Sequence, residues 1–551
     1  MKKIKFLLPI LALALYSCSD YLDINSPSPN DLAFTQASPS KLLPGAQVSC
    51  YRVQGTTMNQ LGNVFMNSWT RNVQSYGNGF DKELQLNLDT GFYSGIVSGS
   101  TGLAALLKNF DAIIKYPNPT GEYDYYVAAA KICKVHYEQQ IVDLYGDTPY
   151  TEAWMGTANT TPKYDDDYSI YQKLFAELQS ARDLINNANT NVVDDISASD
   201  VMLKGQMDKW IEFANTLQLR MCIRMSEVTG DKATFRDARL AEIQNGPFLS
   251  GDVTVNPGFS GTNDDQTSPA FGTFCYLASQ TAQQNRTFIC MSGHAYKALQ
   301  TYSTTNWAAF GNNYEIVPGS GINYPNVLDP RSAKLFTAGS GTTTRRAVTQ
   351  GNPLVDVTTP TGVLPGLPCR LGLSGNFNLR NQASGGTLPE YFACDGYVMT
   401  FSESCFLQAE AAVRWPSLFS GAQSWFDQGV SDNITMRNAV DGGYLAAINL
   451  KPNFGFTAST TVSQQLHAIM YQKWIALMGI NAIQSYFDYT RTGYPVTPLP
   501  TGSLVQNRKP YRLMYPTSEY VANSANVPNM TASDCFTLNH LTPFWVPGAP
   551  N

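Results

Sequence analysis

Histidine is scarce in this 551-residue sequence, and its cysteines are poorly spaced for binding a metal ion. The four histidines, His136, His294, His467 and His540, lie far apart in the chain. No two of the ten cysteines have the short separation of a zinc knuckle. We therefore predict no metal site and no cofactor from these residue types.

Positive charge is also in short supply. The 37 lysines and arginines are outnumbered by 43 aspartates and glutamates, which leaves a formal net charge of −6. A protein that binds nucleic acid normally presents a basic face to the phosphates. We therefore predict that nucleic acid is not a partner.

Long hydrophobic runs are missing except at the start of the chain. There, three lysines among the first five residues precede the apolar stretch 6–15, which is shorter than the roughly 20 residues that cross a bilayer. The pattern predicts a signal peptide over residues 1–17 that is cut before Cys18. Cys18 would then carry the lipid of a bacterial lipoprotein, with residues 18–35 as a polar tether. A plain signal peptide with an incidental cysteine is the alternative.

Sequence signatures of hydrolytic enzymes are absent as well. No Gly-x-Ser-x-Gly nucleophile elbow occurs in the chain. Glu403 and Glu410 share one face of a predicted helix, but their axial separation of roughly 10 Å exceeds the ~5 Å and ~6.5 to 9.5 Å spacings of retaining and inverting glycosidases. We expect these carboxylates to be polar partners inside a helical stack, and we predict that the protein is not an enzyme.

The cysteines that remain after lipidation are odd in number, nine in all. Cys133 and Cys222 fall inside helical patterns, where we expect small buried apolar residues. Export permits disulfides, and two local pairs stay open. These are Cys275 with Cys290, and Cys394 with Cys405.

Apolar residues recur every three or four positions over much of the chain, which is the periodicity of amphipathic helices. Gly146 and Pro416 mark predicted helix ends. Several helices in succession, with few strand-like alternations between them, predict a mostly α fold of stacked helical hairpins. The stripes run through Val127, Cys133, Ile141 and Leu144; Ile170, Leu174, Leu178 and Ile185; Trp210, Phe213, Leu217 and Met221; Phe426, Val430 and Ile434; and Leu466, Met470, Trp474 and Leu477.

Between about residues 246 and 395, glycine, serine, threonine, asparagine and proline dominate, with isolated aromatic residues among them. Loops this long are usually functional or disordered, and the rings argue against disorder. A second cluster of rings and amides spans residues 69–80. Flat rings beside hydrogen-bonding groups suit a sugar or an extended peptide. The predicted ligand-binding residues are Trp69, Arg71, Asn72, Tyr76, Asn78, Phe80, Tyr276, Tyr302 and Trp307.

Two adjacent acidic residues, Asp264 and Asp265, lie in the same loop region. A hard cation needs more oxygen ligands than two neighbouring side chains supply. We expect these carboxylates to be solvated.

Several sequence blocks resemble the SusD/RagB family of nutrient-binding outer-membrane lipoproteins. The longest, residues 135–153, reads VHYEQQIVDLYGDTPYTEA. The blocks follow the family order, so the resemblance covers essentially the whole mature chain. The others are residues 210–220, 329–331, 400–413, 471–478, 489–495 and 512–519.

The resemblance implies a mostly α fold built on tetratricopeptide-like helical hairpins with a large irregular loop region. It also implies a single domain over residues 36–551. The division of that domain would be a helical scaffold at about 36–245 and 396–495, a loop-rich ligand region at about 246–395, and a C-terminal cap at 496–551.

The resemblance further implies a surface-exposed lipoprotein, anchored to the outer membrane and facing the outside. Such a protein captures oligosaccharides and delivers them to a SusC-like TonB-dependent transporter barrel. A peptide-binding member of the same family and a helical-repeat scaffold that binds only proteins are the alternatives. Family ligand residues vary, so none is transferred by motif. From the loop aromatics alone, we expect Trp69→Ala or Trp307→Ala to weaken ligand binding while Tm stays nearly constant.

The first testable prediction concerns the anchor. Because the lipid on Cys18 is the predicted membrane-directed element, Cys18→Ala should release a folded protein into the soluble fraction. Cell fractionation and immunoblotting measure this, in cells that lack the barrel partner. Membrane association of the variant equal to that of the wild type would contradict the prediction.

Overall fold

The computed structural model describes residues 37–71, 81–300, 322–338, 347–351, 358–359, 362–363, 369–380, 387–500 and 506–550. Helices and strands are numbered below in chain order over these residues. The first nine helices are α1 (Pro39–Val53), α2 (Asn59–Phe65), α3 (Asp81–Gln85), α4 (Leu103–Leu106), α5 (Lys108–Ile114), α6 (Asp124–Tyr145), α7 (Asp167–Asn187), α8 (Met207–Arg224) and α9 (Gly230–Ile243). A π-helical turn, Gln54–Met58, joins α1 to α2.

The later helices are short up to residue 392, and four of the six that follow have 11 to 16 residues. They are α10 (Pro269–Phe274), α11 (Gln284–Phe288), α12 (Gly293–Leu299), α13 (Ser332–Leu335), α14 (Leu373–Asn376), α15 (Leu388–Phe392), α16 (Phe401–Arg414), α17 (Ala422–Met436), α18 (Tyr444–Asn449), α19 (Val462–Leu477), α20 (Ala482–Thr492) and α21 (Thr517–Ala522).

Short strands form antiparallel pairs between distant parts of the chain. The strands are β1 (Trp69–Arg71), β2 (Val253–Val255), β3 (Ile289–Met291), β4 (Phe336–Thr337), β5 (Thr358–Thr359), β6 (Gly362–Val363), β7 (Arg370–Leu371) and β8 (Gly396–Met399). Within the described residues, β1 pairs with β3, β2 with β8, β4 with β7, and β5 with β6.

Consecutive helices pack against each other in pairs. The pairs α6 with α7, α8 with α9, α16 with α17 and α19 with α20 all make extensive contact. Helix α8 also touches α6, α16 and α20, so the hairpins share one core. The predicted mostly α fold with tetratricopeptide-like hairpins is confirmed. No helix in the described part of the chain has the length and apolar character needed to span a membrane.

Helix α6 differs from its predicted form. The sequence predicts one apolar stripe, but α6 is buried on nearly every side, and its polar residues Lys134, Glu138 and Asp143 are buried with the apolar ones. It ends at Gly146, whose φ of +70° favours glycine, as the sequence predicts. A helix surrounded by others must find partners for its buried polar groups, which sequence periodicity alone does not reveal.

The predicted loop-rich region between residues 246 and 395 contains short ordered elements. Its described part contains the short helices α10 to α15 and the strands β2 to β7. Buried backbone amides and carbonyls need hydrogen-bond partners, so a segment that crosses the core forms short ladders and turns.

A buried ion-pair network joins the C-terminal hairpins. Arg491 of α20 donates two hydrogen bonds to Glu410 of α16, at 2.6 and 2.9 Å, and one to Asp488 at 3.2 Å. Lys473 of α19 lies 2.9 Å from Asp488. Burial opposes the charge of Asp488, but Lys473 and Arg491 outweigh it and lower the pKa of Asp488 to about 2.

The network continues into the N-terminal hairpins through α8. Arg224 donates to Asp143 of α6 at 3.0 Å and to Gln484 of α20 at 2.8 Å. One turn earlier, Arg220 donates twice to Gln139 of α6, at 3.0 and 2.8 Å. The two arginines therefore connect both halves of the helical scaffold.

The nine cysteines from Cys50 to Cys535 are free thiols. Neither of the two disulfides left open by the sequence is formed. Cys133 and Cys222 are buried in helices, as predicted, and burial raises the pKa of both thiols. They serve as small apolar packing residues.

The second testable prediction is that Arg491→Met destabilises the protein strongly. The change removes one of the two arginine partners of Glu410 and one of the cationic partners of Asp488, and breaking a buried ion pair costs about 3–5 kcal/mol. Urea denaturation followed by circular dichroism measures the free energy of unfolding.

The control is Lys163→Met. Lys163 is 77% exposed in its side chain and lies 3.8 Å from Glu152, and such surface pairs contribute less than about 1 kcal/mol. Equal destabilisation by the two changes would show that the buried network does not hold the scaffold together.

Candidate functional site

The carboxylates considered for a glycosidase are structural. Glu403 and Glu410 are completely buried. Glu410 accepts hydrogen bonds from Arg491 and, at 2.6 Å, from Arg414. Burial raises the pKa of Glu403, whose Oε1 lies 4.0 Å from Arg220. As predicted, they are polar partners inside the helical stack, and neither reaches a surface where a glycosidic bond would lie.

Trp69 occupies the core. Its side chain is 1% exposed and packs edge-on against Phe274 of α10, with ring centroids 5.2 Å apart. Its carbonyl accepts a hydrogen bond of 3.0 Å from Gln350. Buried in this way, the Trp69 ring presents no open face among the described residues, and its role there is to pack in the core. Removing a buried tryptophan costs about 3–5 kcal/mol, so Trp69→Ala would lower Tm, contrary to the sequence-based expectation.

Arg71 lies at the other end of β1 and is also buried. Its backbone pairs with Ile289 of β3, and its guanidinium lies 5.5 Å from the centre of the Phe288 ring. The position of β1 depends on α2, where Gly62 approaches the backbone of α20. A Cβ on Gly62 would fall 2.2 Å from the Ala482 carbonyl carbon, so only glycine fits there.

Tyr276 is half-buried at the mouth of a turn. Its ring lies 6.0 Å from that of Phe271, and its backbone forms an antiparallel bridge with Ala282. Of the predicted ligand-binding residues that the structure describes, Tyr276 is the one whose ring reaches the surface. The other predicted residues, Asn72, Tyr76, Asn78, Phe80, Tyr302 and Trp307, lie outside the described residues, as does Cys18.

Two described segments that border the predicted ligand regions meet in the fold, although about 200 residues of sequence separate them. The pairing of β1 with β3 and the packing of Trp69 on Phe274 place residues 69–71 against the segment 269–291. Residues 72–80 follow β1 in the chain, and Tyr302 and Trp307 follow α12, which begins just after β3. The anchors of both regions therefore lie together.

The acidic pair in the loop region, Asp264 and Asp265, lies in a turn that Asp264 stabilises. Asp264 begins a short 3₁₀-helix, Asp264–Gln266, and its Oδ1 accepts a hydrogen bond of 2.7 Å from the Ala278 amide. Both Asp264 and Asp265 are exposed, as predicted.

Among the described residues, another acidic group is closer to the arrangement that a metal requires. Asp147, Asp166 and Asp167 place ligand oxygens within 4.8 Å of one another. Asp166 caps α7 by accepting from the Ser169 amide, and Asp167 accepts from the Phe544 amide at 2.8 Å. Burial, helped by its two acidic neighbours, raises the pKa of Asp167 to about 7. The described contacts give these carboxylates structural roles, since Asp166 caps the start of α7, and Asp147 and Asp167 accept from the Asp167 and Phe544 amides.

An open groove of about 760 Å³ runs along α19 and α20. Three tyrosines, Tyr489, Tyr494 and Tyr511, and Arg508 contribute to its lining. Two of these rings already have partners, since His467 stacks on Tyr494 at 4.5 Å and Arg508 lies 3.3 Å from the centre of Tyr511.

A second concave site was not predicted from the sequence. It is a cavity of about 230 Å³ between the C-terminal half of α6, the segment 148–164 and residues 515–523. We call it the α6 pocket. Its walls include the rings of Tyr145, Trp154, Tyr164 and Tyr515. Block 135–153 contributes one wall of this pocket. In the sequence, the block indicates only the family resemblance.

Solved structures share this fold. A SusD-like protein described as Bacteroidetes AC2a aligns over 93% of this chain and 100% of its own, with a TM-score of 0.64 and 18% identity. A chitin-binding SusD homologue from Flavobacterium johnsoniae aligns over 92% of this chain and 99% of its own, with a TM-score of 0.64 and 18% identity. A SusD/RagB family protein from Bacteroides thetaiotaomicron aligns over 94% and 100%, with a TM-score of 0.64 and 15% identity.

The sequence comparisons identify the family. No curated protein sequence matches the chain. The family model described as starch-binding and associating with the outer membrane, SusD-like, matches residues 29–253 and 359–516, which is more than half of the chain. The prediction made from the sequence blocks is confirmed, and the chain belongs to the SusD/RagB family of SusD-like proteins.

Proposed function

We propose that this protein is a lipid-anchored, surface-exposed binding protein of the outer membrane. It captures an oligosaccharide outside the cell and passes it unaltered to a SusC-like TonB-dependent transporter barrel. The family description, which names starch binding and association with the outer membrane, supports this proposal. The chitin-binding homologue among the structural neighbours supports a glycan as the ligand.

The observation that carries the proposal is the pairing of β1 with β3, which brings together described segments that border the two ring-and-amide regions. We propose that Tyr276, together with Asn72, Tyr76, Asn78, Phe80, Tyr302 and Trp307, forms the ligand surface. Trp69 and Arg71 support this surface from the core, because both are buried and pack on Phe274 and Phe288. Rings next to amides bind sugar rings by stacking and by hydrogen bonds to hydroxyls.

The enclosed positions of the candidate acid and base residues support binding without catalysis. The carboxylates Glu403 and Glu410 are enclosed by helices, and Glu410 is held by two arginines. A general acid or base must lie within hydrogen-bonding reach of the group that it protonates or deprotonates. The proposed ligand surface does not include either carboxylate.

The anchor and the barrel form the remaining part of the proposal. A lipid on Cys18 would keep the binding protein near its transporter at a high effective concentration, even when the two separate. The length of the predicted tether, residues 18–35, would let the folded part move away from the membrane and return.

The third testable prediction is that Tyr276→Ala weakens ligand binding about tenfold, which corresponds to the loss of about 1.4 kcal/mol of stacking. Isothermal titration calorimetry against chitooligosaccharides, maltooligosaccharides and a peptide library would identify the ligand class and measure its Kd. Tm should change little, because Tyr276 is half-buried in a turn.

The controls locate the site. Tyr276→Phe keeps the ring and removes only the hydroxyl, so it should retain most of the affinity, and Arg508→Ala in the open groove should bind normally. If Tyr276→Ala binds the ligand normally and Arg508→Ala loses affinity, the ligand site lies in that groove. Binding of peptides in place of glycans would favour the peptide-binding alternative. Binding of proteins alone would favour a scaffold. Recovery of cleaved ligand would refute the proposal that the protein binds its ligand without changing it.

A further inference from the structure

The α6 pocket contains buried polar atoms that have no partner. Glu138, Ile141 and Tyr145 follow one another at three- and four-residue steps along α6, so they face the pocket from one side of the helix. The Glu138 Oε1, the Tyr145 hydroxyl and the Thr148 hydroxyl are all buried, and none has a hydrogen-bond partner among the residues that the structure describes. Buried polar groups are nearly always satisfied, so these three atoms can form hydrogen bonds with a polar group that enters the cavity.

The lining of the pocket is acidic and aromatic. Its charged residues are Glu138 at the base and Glu519 on α21, and no lysine, arginine or histidine is among the described residues that line it. Tyr164 donates a hydrogen bond of 2.8 Å to Glu519, which fixes that carboxylate at the edge. Aromatic faces combined with carboxylates attract cations, because the ring quadrupole and the negative charge act in the same direction.

Two of the aromatic rings that line the pocket already contact cationic side chains of the protein. The Lys134 ammonium lies 4.4 Å from the centre of the Trp154 ring, and the Arg512 guanidinium lies 4.6 Å from that of Tyr515. Lys134 is itself paired with Asp111 at 3.1 Å, so it does not neutralise Glu138 by a direct contact.

The walls of the pocket are rigidly held. The Trp154 indole donates to the Ala104 carbonyl at 2.6 Å, and the Trp154 backbone has a φ of +55° in the left-handed region. Asn523 of α21 donates to the Pro162 carbonyl at 2.7 Å and ties that helix to the segment 148–164. A pocket that is formed before binding loses little entropy when a ligand enters.

We propose that the α6 pocket binds the basic side chain of a peptide, a lysine or an arginine. The aliphatic stem would lie between Tyr145, Trp154 and Tyr515, and the cationic head would pair with the carboxylate of Glu138. This inference does not rest on the proposed oligosaccharide function, since the pocket is distinct from the β1 and β3 region.

The proposal has a consequence for pH dependence. Burial raises the pKa of Glu138 to about 8; Lys134 lowers it and Asp111 raises it further. The other charged or titratable groups around the pocket are Lys115, which pairs with Asp111, Arg512, which lies over Tyr515, and the lining residues Tyr145, Tyr164, Tyr515 and Glu519, with Tyr150 nearby. Glu138 is mainly neutral at pH 7, and a cationic ligand selects the ionised form. Affinity should therefore rise as pH increases towards 8, at most about tenfold per pH unit, and level off above it.

The fourth testable prediction compares two probes on the full-length protein. Nα-acetyl-lysine methylamide should bind at pH 8 at least tenfold more tightly than Nα-acetyl-norleucine methylamide, which lacks the ammonium group. Glu138→Gln should remove that difference and also abolish the rise in affinity between pH 6 and pH 8. Isothermal titration calorimetry measures both effects, and methyl β-glucoside serves as a neutral sugar probe.

The controls separate binding from folding. Glu138→Gln should keep or raise Tm, because it replaces a buried ionisable carboxyl with a neutral group of the same shape. Glu403→Gln changes a buried carboxyl outside the pocket and should leave lysine binding intact. Four outcomes would each overturn the proposal. The two amino-acid probes could bind equally, the lysine probe could fail to bind, or the glucoside could bind more tightly than the lysine probe. The Glu138→Gln protein could also bind the lysine probe with the affinity and pH dependence of the wild type. None of these outcomes bears on oligosaccharide binding at Tyr276.

Discussion

The buried ion-pair network is the interaction on which the rest of the structure depends. Arg491 joins α20 to Glu410 of α16, and Arg224 joins α8 to both Asp143 of α6 and Gln484 of α20. Burying these charges is costly, so each must meet its partner with good geometry. That requirement fixes the relative positions of four helices more narrowly than apolar packing would, because apolar contacts are non-directional. The α6 pocket is built on one of these helices, and α2, which precedes β1, packs against another, α20.

The same network explains what the family sequence blocks do. The blocks at 135–153, 210–220, 400–413 and 489–495 include Gln139, Arg220, Glu410 and Arg491 among their polar residues, and all of these are buried. These blocks therefore contribute buried polar residues to the scaffold. Block 135–153 also contributes Glu138 to the lining of the α6 pocket.

Trp69 shows how position changes the meaning of a residue. In sequence it stands at the head of a cluster of rings and amides, which is the composition of a sugar site. In the fold it packs on Phe274 and supports the strand that leads into that cluster. Glu138 is the opposite case. It lies in a helical stretch that predicts only packing, yet its carboxyl faces a cavity. The α6 pocket requires residues from three separated segments, and no local pattern brings them together.

The sequence by itself determined the family, the mostly α architecture and the positions of the main helices, including the end of α6 at Gly146. These features depend on local periodicity and turn chemistry, which a single segment carries. It also indicated that Glu403 and Glu410 are polar partners within the stack. Only the tertiary structure decided that α6 is buried on nearly all sides, that residues 69–71 and 269–291 meet, that Trp69 lies in the core, and that an acidic aromatic pocket exists. Each of these depends on contacts between residues far apart in the chain. Those contacts decide whether a side chain is buried and which group it pairs with, and so they decide its role.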